Sequence, residues 1–318
     1  MNTIVAKENI RLDILLQKEL KTSRNQVENF IKTTGVSVDG KTIFKSGYKV
    51  KKDQTVKYKL IDATKSNEKK DINFDIEIIY EDSDIIVLNK PPFLTVHPAP
   101  SVKEATLVDW LKSKNYTLSN LSGEERLGIV HRLDKETSGA IVVAKNNLSH
   151  ANLSLQLSTK TMGRYYLAII DRPLKEDITI EKNIVRNPKD RLKMLACDNG
   201  KYAKTSFKKL LISKDGKSEL IAAKLYTGRT HQIRAHLASL NRHILADYRY
   251  GFKSKKDKIN RIMLHAYTIY FTHPSSSKNL FFKANLFDDM KSVLEKNFCR
   301  EELNEKISTS YIFNLFDH

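Results

Sequence analysis

The chain has 318 residues, 40% hydrophobic and 29% charged, enough for a substantial core in two domains or in one large domain with an appendage. Lys and Arg number 55 against 37 for Asp and Glu, and a formal charge of +18 concentrates polyanions, so nucleic acid is the expected partner class. No apolar run is long enough to span a bilayer, and the opening Met-Asn-Thr-Ile-Val-Ala-Lys has no apolar region of a secretion signal. The two cysteines, Cys197 and Cys299, are too few for a disulfide framework. A cytoplasmic protein with no membrane partner is therefore expected.

Residues 10–60 read as a small unit. Leu12, Leu15, Leu16 and Leu20 recur at helical spacing, and Ser23 stands three residues before Gln26, a capping-box pattern that opens a second helix. Gly35 closes that helix, Val36-Ser-Val38 alternates as a strand, and Asp39-Gly40 is a hairpin turn signal. Arg11, Lys18, Lys21, Arg24 and Lys32 form the basic outer face of the helix pair. The string Arg-Leu-Asp…Thr-Ser-Arg…Ile…Gly-Val-Ser-Val-Asp-Gly resembles the S4 RNA-binding module. The resemblance implies that this basic face grips RNA phosphates, with little readout of sequence. Residues 1–62 are assigned to the module and 63–72, which lack any apolar period, to a linker.

From residue 73 to 318 the pattern is one of short β-rich runs, among them 76–80, 85–88, 140–143, 165–170 and 219–225. Helical patterns fall near Thr106–Lys114 and His231–Leu240, and in the tail after Asp288. Strands and helices do not alternate regularly, so the expected class is α+β, with a mixed, mainly antiparallel sheet and a small α/β module before it.

Within this region, Gly128-Ile-Val-His-Arg-Leu-Asp-Lys-Glu-Thr-Ser-Gly-Ala-Ile-Val-Val-Ala-Lys145 sets a polar loop between apolar strands, with Asp134 between Arg132 and Lys135. By local chemistry alone, a surface hairpin with a charge-paired Asp is as good a reading as a catalytic one. His131–Gly139, however, resembles the signature of the RluA-type pseudouridine synthases of ribosomal RNA. Further segments match in the family's order: Glu81–Pro91, Val96–Pro100, Arg164–Ala168, Leu225–Leu237 and Met263–Ala266. The resemblance spans residues 75–285 and implies that Asp134 is the catalytic carboxylate. It implies that Arg132 helps to displace the target base, that Tyr166 packs on the uracil, that Arg229 pairs with Asp134, and that Leu264 lies near the base. His131, Thr137 and Ser138 of the same signature are placed on the substrate side. One departure is Ala246, where the family usually has glycine.

Pseudouridine formation breaks the N1–C1′ bond, turns the uracil and joins C5 to C1′, with no redox change. No cofactor is therefore expected. His231 and His236 stand five apart with no acidic ligand between them, and no metal is expected either. Asp134 could attack the sugar, attack the base or remove the ribose 2′ proton, and the residues leave these routes open. An RNA-binding module beside the catalytic region implies large-subunit (23S) ribosomal RNA as substrate for a monomeric enzyme. Transfer RNA is the runner-up substrate. A non-catalytic RNA-binding protein and a base-excising glycosylase are the competing functions.

Overall fold

The computed structural model describes residues 2–20, 24–58, 71–254 and 259–316. They divide into two compact units, residues 1–69 and 70–318. Of the expected linker, residues 63–70 lie outside the described residues, as do Lys21 and Ser23.

In the first unit, β1 (Asn2–Val5) and β2 (Ile10–Arg11) precede helices α1 (Leu12–Leu20) and α2 (Arg24–Thr34). Strands β3 (Val36–Val38), β4 (Lys41–Ile43), β5 (Lys49–Val50) and β6 (Thr55–Tyr58) follow. The sheet order is β1-β6-β3-β4, with β2 and β5 forming a separate ribbon. Leu12 and Leu16 of α1 meet Val27 and Ile31 of α2 over Val36, Val38 and Val56, so the helical apolar period supplies the core. Gly35 has φ +73° and donates its N–H to the Ile31 carbonyl at 3.1 Å. A Cβ there would sit 2.7 Å from Thr42, so glycine is required twice over. Asp39 and Gly40 both have positive φ, as the two-residue hairpin between β3 and β4 demands.

The second unit is built on one nine-stranded sheet. In chain order its elements begin with β7 (Glu77–Glu81), β8 (Ile85–Lys90), α3 (Leu107–Ser113), β9 (Ser138–Ala144), α4 (Asn147–Thr159) and β10 (Gly163–Ile170). Next come β11 (Ile178–Glu181), β12 (Asn183–Arg186), β13 (Met194–Cys197), β14 (Lys204–Ile212), β15 (Glu219–Leu225) and α5 (Gln232–Ser239). The chain closes with β16 (Leu264–Thr272), β17 (Asn279–Lys283), α6 (Asp288–Asn297), α7 (Arg300–Lys306) and α8 (Thr309–Asn314). The order is β11-β14-β15-β10-β16-β9-β8-β7, with β17 on β16. Every paired neighbour in it is antiparallel except β16 and β9. This is the mixed, mainly antiparallel sheet expected from the sequence.

Strands β8, β9 and β10 are buried along their whole length. Alternate residues of β8 and β9 enter two cores. Ile86, Leu88, Ile141 and Val143 face the larger core with α3, α5 and the C-terminal helices. Ile85, Val87, Ala140 and Val142 face a smaller one with Leu153 of α4. A sheet covered on both sides explains why these strands read as continuous apolar runs.

The junction of β9 and β16 positions the site. Gly139 has φ +113°, and a Cβ on it would come within 2.2 Å of the Ala266 carbonyl oxygen. The two strands can therefore meet only at glycine. Beside it, the buried His265 donates Nε2–H to the Ala284 carbonyl at 3.2 Å, so its Nδ1 accepts from the Ser138 hydroxyl at 2.8 Å. Burial pushes this imidazole down to about 3, which keeps it neutral.

The departure at Ala246 has a backbone consequence, since its φ is +64°, in the left-handed region. A non-glycine residue is strained there, and replacement by glycine recovers part of that strain while adding freedom to the unfolded chain. Ala246→Gly is expected to stabilise the second unit by about 0.5–1 kcal/mol. Thermal unfolding of the two proteins checks this, and a lower midpoint for the glycine variant would refute it.

Candidate active site

Asp134 lies in the loop leading into β9. Leu133 anchors the loop in the large core, and the Thr137 N–H donates to the Asp134 carbonyl at 3.1 Å, tightening it. From below, Lys90 at the end of β8 donates from Nζ to the carbonyls of Pro91 (2.8 Å), Leu94 (2.9 Å) and Lys135 (3.3 Å). Burial pulls the Lys90 amine down to about 7, and the Asp134 charge pulls it the other way.

The arginine beside Asp134 is Arg234. Its Nη1 lies 3.4 Å from Asp134 Oδ2, while Nε and Nη2 form a bidentate pair with Asp247 at 2.7 and 2.8 Å. Its guanidinium also lies over the Tyr250 ring, 4.8 Å from the centroid. Burial opposes the charge on Arg234, but the hydrogen bonds and charge of Asp247 outweigh it and raise the guanidinium above its ordinary value. The expected pairing of Arg229 with Asp134 is thus corrected. Arg229 lines the pocket, but its Nε donates to the Tyr202 carbonyl at 3.0 Å and its N–H to Gln232 Oε1 at 3.0 Å.

The reason is the turn ahead of α5. His231 takes φ +53° and caps the helix, and Gln232 Oε1 accepts from both Thr227 Oγ1 and the Arg229 N–H. That turn directs Arg229 toward Tyr202. Arg234, three residues after His231, shares the helix face of His231 and reaches Asp134 with it. His231 Nε2 is 3.9 Å from Asp134 Oδ2. Its Nδ1 is 3.0 Å from the Tyr250 hydroxyl, which also accepts the Met194 N–H at 2.8 Å. Burial keeps this imidazole below its ordinary value despite Asp134. Neither Arg234 nor His231 is among the site residues read from the sequence. The i, i+3 spacing of His231 and Arg234 at a helix start was the available signal.

Two further lining residues are an aromatic and an aliphatic side chain. Tyr166 on β10 and Leu264 at the start of β16 line the pocket, as expected, and are 4% and 3% exposed. The register between β10 and β16 slips between Tyr165 and Tyr166, a bulge of the kind that re-aims a side chain. Burial raises the Tyr166 phenol, with Arg164 opposing. Arg132 is exposed at the rim, and Thr137 lines the wall with its buried hydroxyl unpartnered among the described residues.

Two expected substrate contacts are placed elsewhere. Ser138 is occupied by His265, as above, one residue past the pocket wall. His131 accepts the Val142 N–H on Nε2 at 3.2 Å and lines a neighbouring cavity. His236 likewise has both ring nitrogens engaged, by Thr205 Oγ1 and the Lys182 carbonyl. Asp82, Asp84 and His273 stand close enough to share an ion, but they lie at the far end of β9 from Asp134, hydrogen-bonded to each other and to Tyr80 and Ser275.

In the first unit, Lys18 and Lys32 are exposed, whereas Arg11 makes a bidentate pair with the buried Asp13 at 3.0 and 2.8 Å. The side chain of Arg24 lies outside the described residues.

A mainly antiparallel sheet that holds one carboxylate, a buried arginine and a tyrosine in one pocket is the framework of an RNA-modifying isomerase. Residues 84–239 match the family model of RNA pseudouridylate synthase, and residues 10–56 match the S4 domain. An RNA pseudouridine synthase of Helicobacter pylori is 51% identical over 314 residues, covering 96% of this chain and 95% of its own. A ribosomal large subunit pseudouridine synthase D of Nitrosomonas europaea is 37% identical over 227 residues, 69% of this chain and 64% of its own. In fold, the human RNA pseudouridylate synthase domain containing 1 superposes with a TM-score of 0.57 at 23% identity, covering 73% of this chain and 94% of its own. The chain belongs to the RNA pseudouridine synthases, isomerases that convert uridine in RNA to pseudouridine.

Removing Asp247 would leave the buried Arg234 with only the 3.4 Å contact to Asp134. Asp247→Ala is expected to cost about 3–5 kcal/mol of stability, the usual penalty for stranding one member of a buried pair. Urea denaturation of variant and wild type measures it, and a loss below ~1 kcal/mol would show the pair to be dispensable.

Proposed function

We propose that the protein isomerises specific uridines of large-subunit ribosomal RNA and that Asp134 is its catalytic carboxylate. The observation that carries this reading is the company Asp134 keeps. Its carboxylate lies against Arg234, in a pocket whose lining includes the Tyr166 ring and the Leu264 side chain. A flat aromatic face and an aliphatic wall suit a uracil that has to be held while detached from its sugar. The carboxylate is oriented by Arg234, and orientation is a large part of catalytic advantage.

The reaction breaks N1–C1′, turns the uracil and forms C5–C1′. The proton lost from C5 is balanced by the one gained at N1. One well-held carboxylate can serve it, either as nucleophile or as base. The target base has to leave its helix first, at a cost of a few kcal/mol. Contacts remote from the bond offset that cost, and Lys18 and Lys32 of the S4 unit are proposed to supply part of them. The ribosomal substrate is supported by two relatives named ribosomal large subunit pseudouridine synthase D, from Nitrosomonas europaea and Xanthomonas campestris.

The deciding experiment maps pseudouridines in ribosomal and transfer RNA by carbodiimide-dependent reverse-transcription stops, in cells with and without the gene. Stops in 23S rRNA are expected to vanish with the gene and to return with wild type but not with Asp134→Asn. Stops lost only from transfer RNA would move the substrate there, and unchanged stops in both pools would refute the activity on either. In vitro, Asp134→Asn is expected to lose at least about 10³-fold in turnover with RNA affinity retained. Near-normal turnover would remove Asp134 from the mechanism. Replacing Lys18 and Lys32 by Gln is expected to lower the slope of log affinity against log salt by about one per lysine. An unchanged slope would take those lysines off the RNA.

A further inference from the structure

Beside the pocket at Asp134 lies a second cavity of about 340 Å³. The two share Arg132, Arg164, Leu225 and Gly228 as a common wall. Arg164, on β10 two residues before Tyr166, is only 6% exposed, yet among the described residues its side chain has no ion pair and no hydrogen bond. Its Nε–H is fully buried without an acceptor. A buried guanidinium with no counter-charge is costly, and native structures rarely leave one unexplained. Gly228 makes room for it, because a Cβ there would touch the guanidinium at 3.4 Å.

A second donor is stranded in the same cavity. His131 accepts the Val142 N–H on Nε2, so the neutral ring carries its proton on Nδ1, and that nitrogen is buried without a partner. His97 Nδ1 is buried and unpartnered in the same wall. Arg126 and Arg132 stand at the exposed rim. Burial first, and then the charges of these two arginines, push the His97 imidazole down to about 4. No Asp or Glu lines the cavity. Buried donors without acceptors, cations without a counter-charge and the absence of any carboxylate all select an anion.

We propose that this cavity is a phosphate site, taking the RNA phosphodiester next to the uridine held at Asp134, with Arg164 as its buried anchor and Arg126 and Arg132 at its rim. The proposal rests on reading the neighbouring pocket as the uridine site, since the shared wall puts adjacent groups of one strand in the two cavities. Arg164 is a positioning residue here. It fixes the backbone on one side of the target, so the flipped base enters against Tyr166 in one orientation.

The test uses the full-length Asp134→Asn protein and an RNA hairpin centred on the uridine found by the mapping. Each phosphodiester near the target is replaced in turn by an uncharged methylphosphonate. One adjacent linkage is expected to weaken binding by about 10–100-fold, the range for a hydrogen bond to a charged group. Arg164→Gln should lose a similar factor, reduce the salt slope by about one, and show no further loss with that same linkage. Arg164→Lys should recover part of the affinity, which separates a lost charge from a lost fold. A flat linkage scan, or losses that simply add, would overturn the proposal.

A second arm needs no substrate. Inorganic phosphate titrated into the wild-type chain should shift the Arg164 Nε–H resonance saturably, and no shift would overturn the anion site. A shift with a flat linkage scan would mean an adventitious ion only and overturn the RNA assignment. If the shift occurs but wild type makes no pseudouridine, the uridine reading of the neighbouring pocket falls, and the RNA assignment falls with it.

Discussion

Arg234 is a cation almost without access to water, and the architecture around Asp134 follows from that. Its fork is filled by Asp247, its face by Tyr250 and its remaining edge by Asp134. The partners come from two segments: Asp247 and Tyr250 from the turn after Ala246, and Asp134 from the loop before β9. Taking such a charge out of water costs several kcal/mol unless its hydrogen bonds are met, so the segments have to arrive together. The left-handed Ala246 immediately before Asp247 shows that backbone strain is tolerated to bring the carboxylate there.

The loop of Asp134 is held from its other side by a second buried basic side chain. Lys90 gathers three carbonyls, one of them from the residue after Asp134. The short contact of β9 with β16 at Gly139 then fixes where the loop ends. A loop closed at both ends by buried groups loses little further entropy when substrate binds, which is the physical content of preorganisation. The exposed groups, Arg132 and Arg126, are left at the rim, where a polyanion arrives first.

The two adjoining spaces differ in what they offer. Tyr166 and Leu264 give the pocket at Asp134 an aromatic and an aliphatic face beside its charged groups. The cavity behind Arg164 offers buried donors and no acid. A nucleotide has the same division, with a flat, weakly polar base and an anionic backbone. The S4 unit adds positive charge to this, and part of that charge is internal: Arg11 neutralises the buried Asp13, whereas Lys18 and Lys32 face solvent.

Much of this was written locally. The Gly35 helix stop and the Asp39-Gly40 hairpin depend on backbone conformations that a few neighbouring residues dictate, and both are present. The ordered signature from His131 to Gly139 likewise marked Asp134, because the loop is contiguous in the chain. Which arginine meets that carboxylate was not local. Arg229 and Arg234 are five residues apart, and the left-handed His231 between them sends one toward Tyr202 and the other toward Asp134. Ser138 and His131 look like their neighbour Thr137 in sequence, yet pairing with His265 and Val142 turns them away from the pocket. The sequence by itself determined the elements and the family, since those depend on short-range sterics and contiguous residues. The tertiary structure alone decided which cations surround Asp134, because a charge takes its partner from whatever the fold brings within a few ångströms.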